Sequence, residues 1–383
     1  MKKTKNRKWL LSFLAAPVLA GLAIFWACTT VLNHAGEYAS PDDIIDRLTA
    51  TNGVYGPAVS LRVPAFRQRL YERVTPKAVA IGSPRIDQIQ ADDFSVPFIN
   101  FSGAESLDDL QRLCTALSEK SKPELLILAV DFWWFLGDAP AAPEMEYKEK
   151  PGMADILKVA SWYMTGELQG NDTKAILSGK SPNVGIGGIL HGDGYDRSGA
   201  YVYASLLTGA QPAPDSKFED SLGSIAHGEK IFRWGDDINA TQWQKFTALL
   251  DFVKQHDLPA ILLLPPVAPD VLDAMAARGK YGYIEGLRLK ISEAAASYRL
   301  PLFDDHDIRF ADGTSCEFIG GAHGGAVVYK RVLLDMAVKN PGIREKLNLP
   351  GIGWGIEHFK GQASTRTGEK DFLNLGCKKT ATP

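Results

Sequence analysis

The sequence predicts an α/β fold: a three-layer sandwich with a central parallel sheet between helices, preceded by one N-terminal transmembrane helix. Three observations carry that prediction. Short β-branched or leucine-rich runs recur along the chain, and each stops at polar or turn-forming residues. Stretches with helical spacing of apolar residues separate them, and alternation of strand and helix is the signature of a parallel sheet. Ahead of them, a basic N-terminus leads into 24 uncharged, mostly apolar residues.

Residues 1–32 form the basic tail and anchor. The run from Trp9 to Leu32 is long enough, as a helix, to cross a hydrocarbon core of roughly 30 Å. Trp9 and Trp26 suit its two interfaces. Lys2, Lys3, Lys5, Arg7 and Lys8 hold the amino end in the cytoplasm, so the rest is exported. An uncleaved anchor is favoured by the length of the run. A signal peptide cut near Ala20 or Ala27 is the alternative. Residues 33–75 read as a connecting segment: a short helix starts at Pro41 with Ser40 as its cap, and a helical stretch carries Arg67, Arg69 and Arg73.

The α/β domain is expected over 76–345. Lys77 to Gly82 is the first strand, and Val96 to Phe101 the second. A helix follows from about Ser106 to Lys120, with Leu107, Leu110, Leu113 and Leu117 at three- and four-residue steps. Glu124 to Val130 is a buried-type strand closing on Asp131. Residues 136–240 read as a loop insertion. It holds a Pro/Ala-rich loop, a helical piece around Ile156 to Met164 and a glycine-dense irregular loop or hairpin over 181–200. Helix (241–256), strand (259–264), helix (286–298) and a short strand (300–305) complete the pattern. A last helix runs through Tyr329 and Met336, and 346–383 reads as a peripheral tail.

The formal net charge is −3, and setting aside the five basic residues before Trp9 takes the rest of the chain to −8. An acidic body excludes nucleic acid as a partner. The four cysteines fit no zinc module. Cys114 and Cys316 could pair in an oxidising compartment, with buried free thiols the equal alternative. His306, Asp304 and Asp307 lack a second histidine at ligand spacing, so no metal and no cofactor are expected.

Two stretches carry chemistry. Ile81-Gly82-Ser83-Pro84 ends the first strand in a tight turn, placing a serine hydroxyl where open α/β sheets bind ligands. Far downstream, Glu317-Phe318-Ile319-Gly320-Gly321-Ala322-His323-Gly324-Gly325 sets a histidine among glycines before the last helix. A serine is a weak nucleophile until an imidazole takes its proton. With Ser102-Gly103 after the second strand and Asp131 after the third, this block order resembles an SGNH (GDSL-type) hydrolase, whose fold is flavodoxin-like. With the anchor, it is similar to the SGNH-like proteins of teichoic-acid D-alanylation and alginate acetylation.

The resemblance implies an acyl esterase or acyltransferase working through an acyl-serine on a cell-envelope or exported polysaccharide. It places the chain on the inner membrane as a single-pass protein with a periplasmic domain, served by a multipass membrane acyltransferase. Ser83 is then the nucleophile and His323 the base. The Gly103 amide and Asp131 line the oxyanion side. Independently of the resemblance, Asp193 in the turn-rich loop is a candidate substrate contact, with an Asx-turn as its ordinary role. The chain departs from the Asp-x-x-His pattern, because Gly320 stands at the Asp position. Glu317, or else Asp304 or Asp305, is the substitute, unless a Ser–His dyad acts alone. Asp131 stands where the family has Asn, and it can donate only when protonated. These departures keep a second expectation open: a non-catalytic envelope scaffold or glycan-binding protein on the same fold.

Overall fold

A computed structural model describes residues 3–58, 63–119, 122–137 and 150–377, with side chains of the first helix described from Ala15 onward. The expected Pro/Ala-rich loop at 138–149, the Trp9 side chain and the helix end at Lys120 lie outside the described residues. The chain divides into two units: Met1–Arg69 with Glu146–Arg197, and Leu70–Met145 with Ser198–Pro383. The boundaries expected at 75, 136, 240 and 345 therefore do not mark this division. Part of the insertion belongs with the N-terminal segment.

The first unit is helical. It holds α1 (Lys3–His34), α2 (Pro41–Thr51), the start of α3 (Val63–Val74), α5 (Met153–Thr165), α6 (Gly170–Leu177), α7 (Ile186–His191) and the two-residue strand β4 (Gly194–Tyr195). Ala15–His34 of α1 is long and apolar enough to cross a membrane. Its side chains are exposed up to Ala27, after which Cys28, Val31, Leu32 and Ala35 pack with Ile156, Val159, Leu168 and Ile176. Ser40 caps α2 as expected: its Oγ accepts the Asp43 N–H at 3.1 Å, and Asp43 answers at the Ser40 hydroxyl and amide. The glycine-dense stretch forms a helix as well as a loop. Glu37 Oε1 accepts the N–H groups of Ile186 (3.0 Å) and Ala58 (2.7 Å), fixing the start of α7.

The second unit is the α/β body. Five parallel strands lie in the order β2-β1-β3-β6-β7. They are β1 (Ala78–Gly82), β2 (Phe98–Ser102), β3 (Leu125–Ala129), β6 (Ala260–Leu264) and β7 (Leu302–Asp304). The first four are buried at every residue, which is why they read as unbroken apolar runs rather than alternating ones. Helices α4 (Leu107–Ser118), α10 (Ala240–Gln255), α11 (Pro269–Arg278), α12 (Gly282–Tyr298) and α13 (Ala326–Lys339) accompany the sheet. Shorter pieces are the two-residue β5 (Tyr201–Val202), α8 (Ala204–Leu207), α9 (Glu219–His227) and α14 (Pro341–Arg344). From β1 the chain steps one way to β2 and then back across to β3. The switch point of the sheet therefore lies at the carboxyl ends of β1 and β3, where ligands bind in such folds.

Two expectations are corrected here. The segment after 345 is not peripheral: α15 (Leu349–His358) packs on α13. Gly325, at the start of α13, lies so close to this segment that a Cβ there would stand 2.2 Å from the Ala363 carbonyl oxygen. The disulfide joins Cys316 to Cys377 rather than to Cys114. Cys114 is a free thiol inside α4, and burial pushes it up to about 12. It is fully buried and makes no disulfide. The bridge spans 61 residues, so Cys377→Ser should lower unfolding free energy by about 2–4 kcal/mol in urea titration. Cys114→Ala should cost about 1 kcal/mol or less, because it removes only one small buried group.

Candidate functional site at the carboxyl edge of the sheet

Ser83 follows directly on β1 and opens a turn over Pro84–Ile86. Proline stops the strand and presets that turn, and the Ser83 Oγ accepts the Arg85 N–H at 3.3 Å. Ser83 is 4% exposed and Arg85 is 2% exposed. The Arg85 guanidinium spreads across the whole edge. Nη1 donates to Asp131 Oδ1 at 2.8 Å, after β3. Nη2 donates to the carbonyls of Pro265 (2.9 Å) and Pro266 (2.6 Å), after β6. Nε donates to the Ala322 carbonyl at 2.7 Å. The Trp133 ring stacks 5.3 Å from it, and the Tyr329 hydroxyl of α13 donates to the Arg85 carbonyl at 2.7 Å.

His323 arrives on a tight hairpin, β8 (Phe318–Gly320) with β9 (His323–Gly324). Strand β9 packs against the turn that Ser83 opens, and the Arg85–Ala322 bond locks the two together. The structure thus brings the serine turn and the histidine hairpin to one edge of one sheet. Burial and the nearby Arg85 charge push the His323 imidazole down to about 4, and Asp215 partly opposes them. At neutral pH the ring is uncharged and able to accept a proton.

The other expected residues have different duties. Glu317 forms a two-point pair with Arg331, at 2.8 Å from both Nε and Nη2, and accepts the Gly361 N–H at 3.0 Å. Its carboxylate is committed to holding α13 and the C-terminal segment, so it is not the substitute for the missing Asp. The Gly103 N–H, expected at an oxyanion, donates to the Gly82 carbonyl at 2.8 Å. The positive φ of Gly103 (112°) bends the chain back onto β1 and uses up that donor. Asp131, 1% exposed, is the partner of Arg85. Burial raises its carboxyl, and the Arg85 charge and the neighbouring Ser83 hydroxyl oppose that. Arginine keeps its proton, so neutralising Asp131 would strand a buried cation. The pair is ionic, and Asp131 cannot act as an oxyanion donor. Its Oδ2 is buried and accepts no hydrogen bond in the structure. Asp193 belongs to the first unit, where its carbonyl crowds Gly56.

Asp304 pairs with Arg288 at 2.7 Å. Asp305 is fully buried with no protein hydrogen bond to either oxygen, and burial lifts it to about 8. His306 lies edge-on to the Phe132 ring at 5.4 Å, and burial pushes it down to about 3. Among the described residues no group of three His, Cys, Asp or Glu could hold a metal ion. Beside Ser83, the Ser102 hydroxyl donates to Asp87, and the Asn100 side-chain amide ties the carbonyls of Ile86 (2.7 Å) and Ile89 (3.0 Å). These bonds stiffen the connection from β1 to β2.

Sequence reasoning missed Arg85, Asp215 and Tyr329. The only available signal for Arg85 was a charged residue three positions after an apolar strand. Nothing in the order of residues distinguishes Asp215 from other loop acids. Fold and site together define an α/β protein with a polar, arginine-braced constellation at the switch point of a parallel sheet. No protein-family model, curated protein or solved structure matches the chain.

Two outcomes check this account. Arg85→Met should destabilise the protein by about 3–5 kcal/mol by leaving Asp131 buried and unpaired, whereas Arg85→Met with Asp131→Leu should cost clearly less; denaturant midpoints decide. Asp305 has a folded pKa above its unfolded value, so its stabilising contribution is present below pH ~4 and is lost as pH rises through about 8. Asp305→Asn should therefore gain stability relative to wild type between pH 4 and pH 8, with no further gain above, as read by melting temperature.

Proposed function

We propose that this protein is a serine acyl esterase or acyltransferase of the SGNH type, held at the inner membrane by α1 with its α/β unit outside the cytoplasm. The observation that carries the reading is the packing of the His323 strand on the turn that Ser83 opens. In this reading the Ser83 Oγ attacks an acyl carbonyl while the His323 imidazole takes the hydroxyl proton. The ring then returns that proton to the departing alkoxide, leaving an acyl-serine. Water or a sugar hydroxyl attacks the acyl-serine next, and Ser83 regains its proton through the same imidazole. An envelope or exported polysaccharide as acceptor, and a multipass membrane acyltransferase as donor, come from the family resemblance. The Cys316–Cys377 disulfide supports an oxidising compartment, and Ala15–His34 supports membrane attachment.

A second reading is favoured by the burial of Ser83 and the commitment of the Gly103 amide. It makes the same unit a non-catalytic scaffold or glycan-binding module of the envelope.

Fluorophosphonate labelling of the detergent-solubilised full chain separates the two. The enzyme reading expects covalent labelling in wild type and none in Ser83→Ala. An unlabelled wild type that still retains polysaccharide on an affinity column would overturn it in favour of the module. Because the free imidazole titrates near 4, the labelling rate should hold between pH 8 and pH 5 and fall by half near pH 4. An acid limb centred at 6.5 would show that burial and Arg85 do not lower the ring, and a rate with no acid limb in His323→Gln would separate the base from other groups.

A further inference from the structure

The hairpin leaves a specific gap at Gly320. This residue pairs with His323 across β8 and β9. A Cβ built on Gly320 would stand 3.5 Å from Asp215 Oδ2 and 4.0 Å from His323 Nδ1. The space that an aspartate side chain at 320 would enter is thus already bordered by a carboxylate from another loop. We propose that Asp215 is the positioning residue for His323, replacing from a separate segment the carboxylate that the Asp-x-x-His pattern would supply at 320. This rests on the acyl-transfer reading of Ser83 and His323.

The surroundings hold Asp215 in place for that role. Its Oδ2 accepts the Gly321 N–H at 2.8 Å and the Ser221 hydroxyl at 2.7 Å, and its Oδ1 accepts the Ser221 N–H at 3.0 Å. Three donors orient the carboxylate. The hairpin presses directly on this cluster: a Cβ at Gly321 would lie 2.3 Å from the Ser221 hydroxyl oxygen. Lys217 N–H donates to the Leu373 carbonyl at 2.6 Å, tying the loop to the C-terminal segment. Two charged groups act on the His323 ring: Arg85, which disfavours a proton on it, and Asp215, which favours one. With its carboxylate on the Nδ1 side, Asp215 selects the tautomer that carries hydrogen on Nδ1. That leaves the Nε2 lone pair for the Ser83 proton and stabilises the imidazolium that forms. The competing account is purely structural: Asp215 binds Ser221 to start α9 and has no bearing on the ring.

The test uses full-length protein in detergent, with two readouts. One is the tautomer of His323 at pH 7 by ¹⁵N–¹H correlation, its signals assigned by their loss in His323→Gln. The other is the rate of fluorophosphonate labelling. Wild type should show hydrogen on Nδ1. Asp215→Asn and Asp215→Ala should shift the ring toward the other tautomer and slow labelling by about 10²–10⁴-fold. Gly320→Asp added to Asp215→Ala should restore the Nδ1–H tautomer and bring labelling to within about tenfold of wild type. Ser221→Ala, which removes the hydroxyl contact but keeps the carboxylate, should change neither by more than about threefold. An unchanged tautomer in both Asp215 variants would overturn the proposal. So would loss of labelling that Gly320→Asp fails to rescue while Ser221→Ala loses as much. If wild type itself resists labelling, the acyl-transfer reading fails, and the tautomer measurement still decides whether Asp215 governs the ring.

Discussion

One buried cation organises the carboxyl edge of this sheet. Desolvating a guanidinium costs several kcal/mol unless its donors are met. Arg85 meets that cost with one carboxylate and three backbone carbonyls drawn from three different connections. Each bond is geometrically exacting, because the guanidinium is planar and its donors diverge in fixed directions. The loops after β3 and β6 and the β8–β9 hairpin can therefore take up only a narrow range of positions relative to the turn after β1. Such a pair adds little net stability compared with a well-packed apolar core. Its effect is to specify one arrangement.

The same device recurs on α13, where neighbouring residues Lys330 and Arg331 are both buried. They pair with Asp93 and Glu317, at 0% exposure for each acid. This helix thus carries two cations inward and is pinned to segments distant in sequence, Asp93 before β2 and Glu317 before β8. The hairpin that delivers His323 hangs between α13 and Arg85. Its glycines give the close approach that this position demands, since side chains at Gly321 and Gly325 would meet Ser221 and the Ala363 carbonyl.

The chemistry of the edge follows from that crowding. A half-buried imidazole next to a fixed guanidinium stays neutral well below its ordinary titration range. Asp131, which the order of blocks assigns to the oxyanion side, is taken by Arg85 instead. Glu317 is taken by Arg331 in the same way. The acid closest in sequence to the histidine is thus spent on structure, and the carboxylate whose charge acts on the ring comes from residue 215.

The sheet was legible in the sequence because burial on both faces turns each strand into a continuous apolar run. Turn residues mark the ends of those runs, as at Gly82-Ser83-Pro84 and Ser102-Gly103. The Ser40 cap and the apolar length of α1 were legible for equally local reasons: both depend on residues within a few positions of one another. Helix α11 was not, since Pro265, Pro266 and Pro269 disguise its start as a loop. Pairing over long separations left no local trace. Cys316 chose Cys377 over Cys114, Glu317 chose Arg331 over His323, and Asp215 came to Gly320 across 105 residues of chain. Sequence determined which residues end the strands, because strand periodicity and turn chemistry are local. Tertiary structure alone decided which of those polar groups face one another, because each buried charge takes whichever partner the packed loops bring within reach.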